Sequence, residues 1–291
     1  MSNIVECKDK DLLNTGALDQ CHLGVTTKYV VSPDLDFGFE TLEDLKDKTE
    51  WVEAVAAKDL YPLYEAEEIT NANTDPQFYE GRRINYKQSE GKKVKTFRSI
   101  VSLCSYRALK RFDGKIVRVF ELTEDRGVRA VQHETKFKGQ KTMIYVGLLE
   151  DPSNDSGIQS TVVTINYIDE AEYTENGVNA FLDGWGDQEL IGILDVKLEL
   201  VSCSATSVKF KILSLCGNKP LKLFESGDVK MKDDTGADET TSFVAPDTDG
   251  IYELTGTGFE NGFTVNLNGV VTKGGYSYES TGAITLAGIP S

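Results

Sequence analysis

His22 and His133, five cysteines, and the carboxylates around Trp185 and Asp169 are the side chains in this sequence whose type and spacing could do chemistry. Histidine is the usual acid–base and metal residue near neutral pH. His22 follows Cys21, with Cys7 upstream, but a metal site needs three or four ligands at suitable spacing. The chain has no Cys-x-x-Cys and no His-x-x-x-His. His133 stands among Gln132, Glu134 and Thr135 beyond a strand-like run, which places it at the surface. The run Asp183-Gly184-Trp185-Gly186-Asp187 sets an aromatic ring between two carboxylates. Glycoside hydrolysis uses such pairs, so a sugar site is one reading. A wide turn that lets Trp185 pack inward is the other, and the favoured one. Asp169, Glu170 and Glu172 could hold calcium, yet they lack the interleaved glycine and the bidentate glutamate of a calcium loop. A solvated acidic run is the plainer account. No Gly-x-Ser-x-Gly elbow and no phosphate-binding loop is present. The expectation is a protein that is not an enzyme, with no cofactor and no metal.

Charge is more informative. The chain carries 47 acidic against 31 basic side chains, a net charge of -16. Phosphates demand a cationic face, so nonspecific gripping of DNA is disfavoured. The same balance suits a surface that nucleic acid passes without sticking. All eight arginines lie between Arg82 and Arg129. Arg82, Arg83, Lys87, Lys92, Lys93, Lys95 and Arg98 form a basic stretch with Tyr79, Tyr86 and Phe97 among them. Three readings are open: a solvated face balanced by Glu80 and Glu90, a nucleic-acid patch, or a contact with an acidic surface of a neighbouring copy. Net acidity demotes the second. The candidate subunit contacts are Arg82, Arg83, Lys87, Lys92 and Lys93, joined by Tyr29 and Phe37. The last two belong to an N-terminal arm too apolar to lie in water.

The elements that would carry these residues are mostly strands. Alternation such as Val208, Phe210 and Ile212 against Lys209 and Lys211 marks antiparallel sheets with one wet face. Thr41 can cap a helix, with Asp44 as its capping-box partner and Leu42, Leu45, Val52, Val55 and Ala56 as one apolar stripe. A shorter helix is expected near Ser105 to Phe112, with Gly114 as its C-terminal cap. Residues 66–91 read as a long loop or a splayed hairpin, and a loop of that size calls for a job. The short alternating runs after residue 216, split by Gly, Asp and Asn, resemble an immunoglobulin-like sandwich.

The fold class expected is therefore α+β, mainly β. A sheet-dominated sandwich or barrel body with one flanking helix would span residues 1–215, including the arm and the loop 66–91. An immunoglobulin-like domain would span residues 216–291. No apolar stretch approaches the roughly 20 residues of a membrane helix, and the N-terminus lacks a basic and an apolar region of the export type. The odd, widely spaced cysteines Cys7, Cys21, Cys104, Cys203 and Cys216 read as reduced thiols.

Two stretches carry a resemblance. Phe39-Glu40-Thr41-Leu42-Glu43-Asp44-Leu45-Lys46-Asp47-Lys48-Thr49-Glu50-Trp51 with Leu60-Tyr61-Pro62-Leu63 is the first, and Leu103-Cys104-Ser105-Tyr106-Arg107-Ala108-Leu109-Lys110-Arg111-Phe112-Asp113-Gly114 the second. They resemble virion structural proteins of tailed phages infecting Bacteroidetes-type bacteria. The layout of body, helix, long loops and C-terminal add-on is similar to that of major tail (tail tube) proteins. The resemblance implies a homo-oligomer of stacked hexameric rings through which genomic DNA passes without specific binding. It also implies other virion proteins as partners, assembly in the host cytoplasm, and a C-terminal domain displayed toward a host cell surface. It implies no catalytic residues. The alternatives are a capsid decoration or head-fibre display protein and, last, a carbohydrate-binding protein built on Trp185.

Overall fold

The computed structural model describes residues 23–64, 66–152 and 157–289. Cys7, Cys21, His22 and most of the expected N-terminal arm lie outside the described residues. The protein is sheet-dominated, of the mainly-β α+β class, and divides into two units, Met1–Leu190 and Ile191–Ser291.

The strands of the first unit are β1 (Thr26–Ser32), β2 (Tyr61–Pro62), β3 (Ala66–Asn71), β4 (Gln77–Glu80), β5 (Asn85–Ser89), β6 (Val94–Ile100), β7 (Lys115–Thr123), β8 (Gly127–His133), β9 (Lys136–Lys138), β10 (Gln140–Val146), β11 (Ser160–Tyr167) and β12 (Gly177–Phe181). Its helices are α1 (Leu42–Lys46), α2 (Lys48–Ala56), α3 (Leu103–Leu109) and α4 (Glu170–Asn176). All of these strands except β4 and β5 form one sheet. Its path runs β12-β8-β7-β10-β11-β6-β3, with β1 on the other edge of β7.

That sheet curls. In a flat sheet β6 would stand ~14 Å from β7, three strand spacings away. Instead Tyr29 on β1 stacks on Phe97 of β6 at 4.8 Å between ring centroids. β3 also comes back beside β1. Strands β1, β7, β10, β11, β6 and β3 thus surround one core of Tyr29, Phe97, Val117, Val119, Ile144, Val163 and Ile165. The curl brings β3 beside β1 without a hydrogen-bonded ladder between them, so the strands wrap the core while β3 and β12 remain the ends of the sheet.

β7 is covered on both faces. Val117 and Val119 point into the barrel, while Phe120 points out to Phe39 and Trp51, at 5.8 Å and 5.2 Å between ring centroids. The expected capping box is present: the Thr41 hydroxyl accepts from the Asp44 N–H at 3.1 Å, and Asp44 accepts from the Thr41 N–H at 2.9 Å. The single expected helix is nonetheless two. Asp47 leaves helical geometry (ψ 122°) and recaps, accepting from the Thr49 N–H at 3.0 Å. The carbonyls freed at the end of α1 take two indole donors: Trp51 Nε1 on Leu45 and Trp185 Nε1 on Lys46, both at 2.7 Å. α3 and the left-handed Gly114 (φ 69°) stand where expected.

Two sequence expectations need correction here. The arm does not extend as far as the described residues go: β1 is a buried strand between β7 and β2, because its apolar residues complete the barrel core. Of the two readings of residues 66–91, the long loop falls and the splayed hairpin stands: β3 pairs with β6 in the sheet, Thr74 bridges Lys92, and β4 pairs with β5 beyond them.

The second unit holds β13 (Ile193–Cys203), β14 (Ser207–Ser214), β15 (Val229–Lys232), β16 (Ser242–Val244), β17 (Ile251–Thr255), β18 (Thr264–Leu267), β19 (Val271–Lys273), β20 (Tyr276–Ser280) and β21 (Ile284–Thr285). A six-stranded sheet, β16-β17-β14-β13-β20-β19, and a three-stranded sheet, β15-β18-β21, share one core that includes Val196, Phe210, Tyr252, Phe224, Val265 and Tyr278. The boundary therefore falls after Leu190 and not at 215. β13 and β14 are long alternating strands whose pairing partners, β20 and β17, come later in the chain. The β13–β20 pair is parallel, which an all-antiparallel sandwich would not contain.

Candidate assembly interface

β4 and β5 form a two-stranded hairpin whose nine residues are all exposed. It continues the edge pair β3–β6 beyond the barrel. At its base, Thr74 and Lys92 exchange backbone hydrogen bonds at 3.0 and 3.2 Å, and Asn73 Oδ1 accepts from the Val94 N–H at 2.9 Å. Gly91 is needed there, since a Cβ would lie 2.2 Å from the Thr74 carbonyl oxygen. At the tip, the Gly81 N–H donates to the Ile84 carbonyl at 3.1 Å, and a Cβ on Gly81 would lie 2.4 Å from that same oxygen. The turn so closed presents Arg82 and Arg83.

The cross-strand register sorts the rest. Tyr79 stands opposite Tyr86 on one face, and Phe78 opposite Lys87 on the other. Phe78, Tyr79, Ile84 and Tyr86 are 56–63% exposed. An isolated two-stranded hairpin is marginal in water, and clustered exposed aromatics mark a contact surface. Lys87 forms an ion pair with Glu90.

The remaining candidates do not gather on that surface. Lys92 is exposed at the hairpin base. Lys93 turns inward: its Nζ lies 4.0 Å from the centroid of the Tyr167 ring and 3.9 Å from Glu121, and it donates to Gln140 at 3.2 Å. Tyr29 is fully buried in its own barrel and cannot touch another copy in this fold. Phe37 is half-buried, edge-on to Phe39 at 5.6 Å, and lines a surface groove.

Sequence reading missed the buried ionic centre at this end of the barrel. Glu121, with no exposed surface, accepts from Lys95 at 2.7 Å, Arg129 at 3.3 Å and Thr26 at 2.8 Å, and from the Tyr167 hydroxyl. Burial alone would raise the Glu121 pKa. The charges of Lys95 and Lys93, with the hydrogen bonds from Lys95 and Tyr167, outweigh it and hold the value at about 2. Burial, with Glu121 nearby, pushes the Tyr29 and Tyr167 hydroxyls well up. The Tyr29 hydroxyl has no hydrogen-bond partner among the described residues. A signal was available: period-two alternation on β6 puts Lys95 in phase with the buried Phe97 and Ser99.

The other chemical candidates resolve into structure. Trp185 is 2% exposed, so it offers no face to a sugar, and the turn reading holds. Asp169 caps α4, accepting from the Ala171 and Glu172 N–H groups at 3.0 and 3.3 Å. Glu172 pairs with the buried Arg118 and accepts from the Lys141 N–H at 2.8 Å. His133 is exposed at the end of β8. Among the described residues no three His, Cys, Asp or Glu side chains could hold a metal, and no helix is long and apolar enough to cross a membrane. Cys104 and Cys216 are disulfide-bonded and Cys203 is free, which overturns the expectation of five reduced thiols. Sequence spacing says nothing of the Cβ separation that pairing needs.

No family model matches the chain, and no curated protein matches it.

Proposed function

We propose that this protein is a structural virion component of the tail-tube type, assembling by contacts of many identical copies. The observation that carries the reading is the hairpin Gln77–Ser89: a projection exposed on both faces, bearing four apolar side chains and two arginines at its tip, braced at its base to the curled sheet. Such a feature has no use to an isolated molecule and every use as a peg. A net charge of -16 keeps most of the surface repulsive to nucleic acid, as a conduit for DNA requires. The disulfides at Cys104 and Cys216 suit a particle that persists outside the reducing cytosol.

The test is sedimentation velocity combined with negative-stain microscopy over a concentration series. The intact chain is expected to form rings or tubes. A variant with residues 75–91 replaced by a short glycine turn is expected to fold and stay monomeric. The deletion must spare β3, whose Ala66 and Ile69 pack against the barrel core. An intact chain that remains monomeric to its solubility limit would refute the reading.

A further inference from the structure

Besides the hairpin, the first unit carries a surface that complements it. A groove of about 280 Å³ runs between α2 and the segment around Phe37. Helical spacing sets Glu50, Glu53, Ala54 and Ala57 on one stripe of its wall. Asp59 joins them, and Phe37 and Ala54 supply apolar surface. Glu50 and Glu53 are exposed, and no ion pair is made by Glu50, Glu53 or Asp59 among the described residues. Lys58 lies next to Asp59, but the groove itself is acidic with an apolar lining.

The geometry points to a second copy of this chain as the occupant, with the hairpin tip of one copy seated in the Glu50–Glu53 groove of the next. This deepens the assembly reading above and rests on it. Three properties match. The tip carries Arg82 and Arg83 where the groove carries Glu50, Glu53 and Asp59, which make no ion pair among the described residues. Ile84, 63% exposed beside those arginines, meets the apolar lining supplied by Phe37 and Ala54. Guanidinium groups hold carboxylates through two parallel hydrogen bonds, which fixes orientation as well as charge. The contact uses different patches on the two copies, so it is heterologous. It propagates into a closed ring or an open stack and does not stop at a dimer.

Reciprocal charge reversal tests it. Variant one carries Arg82→Glu and Arg83→Glu; variant two carries Glu50→Lys and Glu53→Lys. All four side chains are exposed, so both variants are expected to melt within a few degrees of the parent. Each alone is expected to associate at least about a hundredfold more weakly than the parent, because like charges then face each other. Mixed one to one, they are expected to co-assemble, since the reversed tip of one meets the reversed groove of the other. If the parent associates but both variants associate equally well, or the mixture fails to recover, the tip docks elsewhere and this inference falls while the assembly reading stands. If the parent itself never associates, the assembly reading falls first.

Discussion

Lys92 and Lys93 are neighbours in sequence and belong to opposite regimes. Lys92 sits exposed at the base of a hairpin in which every strand residue faces solvent. Lys93 reaches the ring of Tyr167 and the carboxylate of Glu121, which has no exposed surface. One basic stretch therefore supplies both an exposed hairpin and the counter-charges of a buried acid. The difference lies in what surrounds the strand. Up to Lys92 the chain has a partner on one side only. From Val94 it enters the curled sheet between β3 and β11, whose interior selects every second residue, including Lys95 and Phe97.

The buried half should respond most to mutation. Glu121→Gln leaves Lys95 and Arg129 without a counter-charge in a buried site, and removing one partner of such a group costs about 3–5 kcal/mol. Thermal or denaturant unfolding of the first unit should register this as a large loss, with the folded structure otherwise retained. A change below about 1 kcal/mol would mean that water reaches the site. The acid response is linked to it. The folded-state pKa of Glu121 is depressed to about 2 from 4.5, so its contribution is fully present above 4.5 and is lost as pH falls from there toward 2. Denaturation midpoints compared on either side of that window should fall with acid in the parent and fall less in Glu121→Gln. Equal slopes would remove Glu121 from the acid response. Lys93→Met keeps the apolar stem and removes the cation from Tyr167, and the loss should be about 1 kcal/mol. An effect as large as that of Glu121→Gln would make Lys93, and not Lys95, the principal partner.

How much of this was legible depended on whether the cause was local. The Thr41–Asp44 capping box and the left-handed turn at Gly114 rest on residues a few positions apart, and both stand in the structure, although the cap of α3 itself is Lys110. The split at Asp47 was hidden because it depends on two distant indoles, Trp51 and Trp185, taking the freed carbonyls. The unit boundary was misplaced for a similar reason. β13 and β14 look like any alternating strands, and only their partners at residues 251–280 assign them to the second unit. For the candidate interface, composition alone singled out Arg82, Arg83 and Lys87, and the structure places all three exposed on the hairpin. It could not tell that Tyr29 and Lys93 face inward, because that follows from the curl of the sheet and not from polarity.

The smallest expected effect on stability belongs to the hairpin, and it is the one that most sharpens the contrast. Phe78 is 56% exposed and touches no core, so Phe78→Ser should leave the unfolding free energy within about 0.5 kcal/mol of the parent. In an ordinary surface residue that would end the matter. Under the proposed assembly the same substitution should weaken self-association measurably, because the apolar area it removes would be buried against a second copy. Unfolding and sedimentation measured on one sample separate the two contributions. A stability loss comparable to that of Glu121→Gln would place Phe78 in an intramolecular core, and unchanged association would leave the exposed aromatics without a partner. The hairpin is thus expected to be silent in a folding assay and decisive in an assembly assay, while Glu121 shows the reverse.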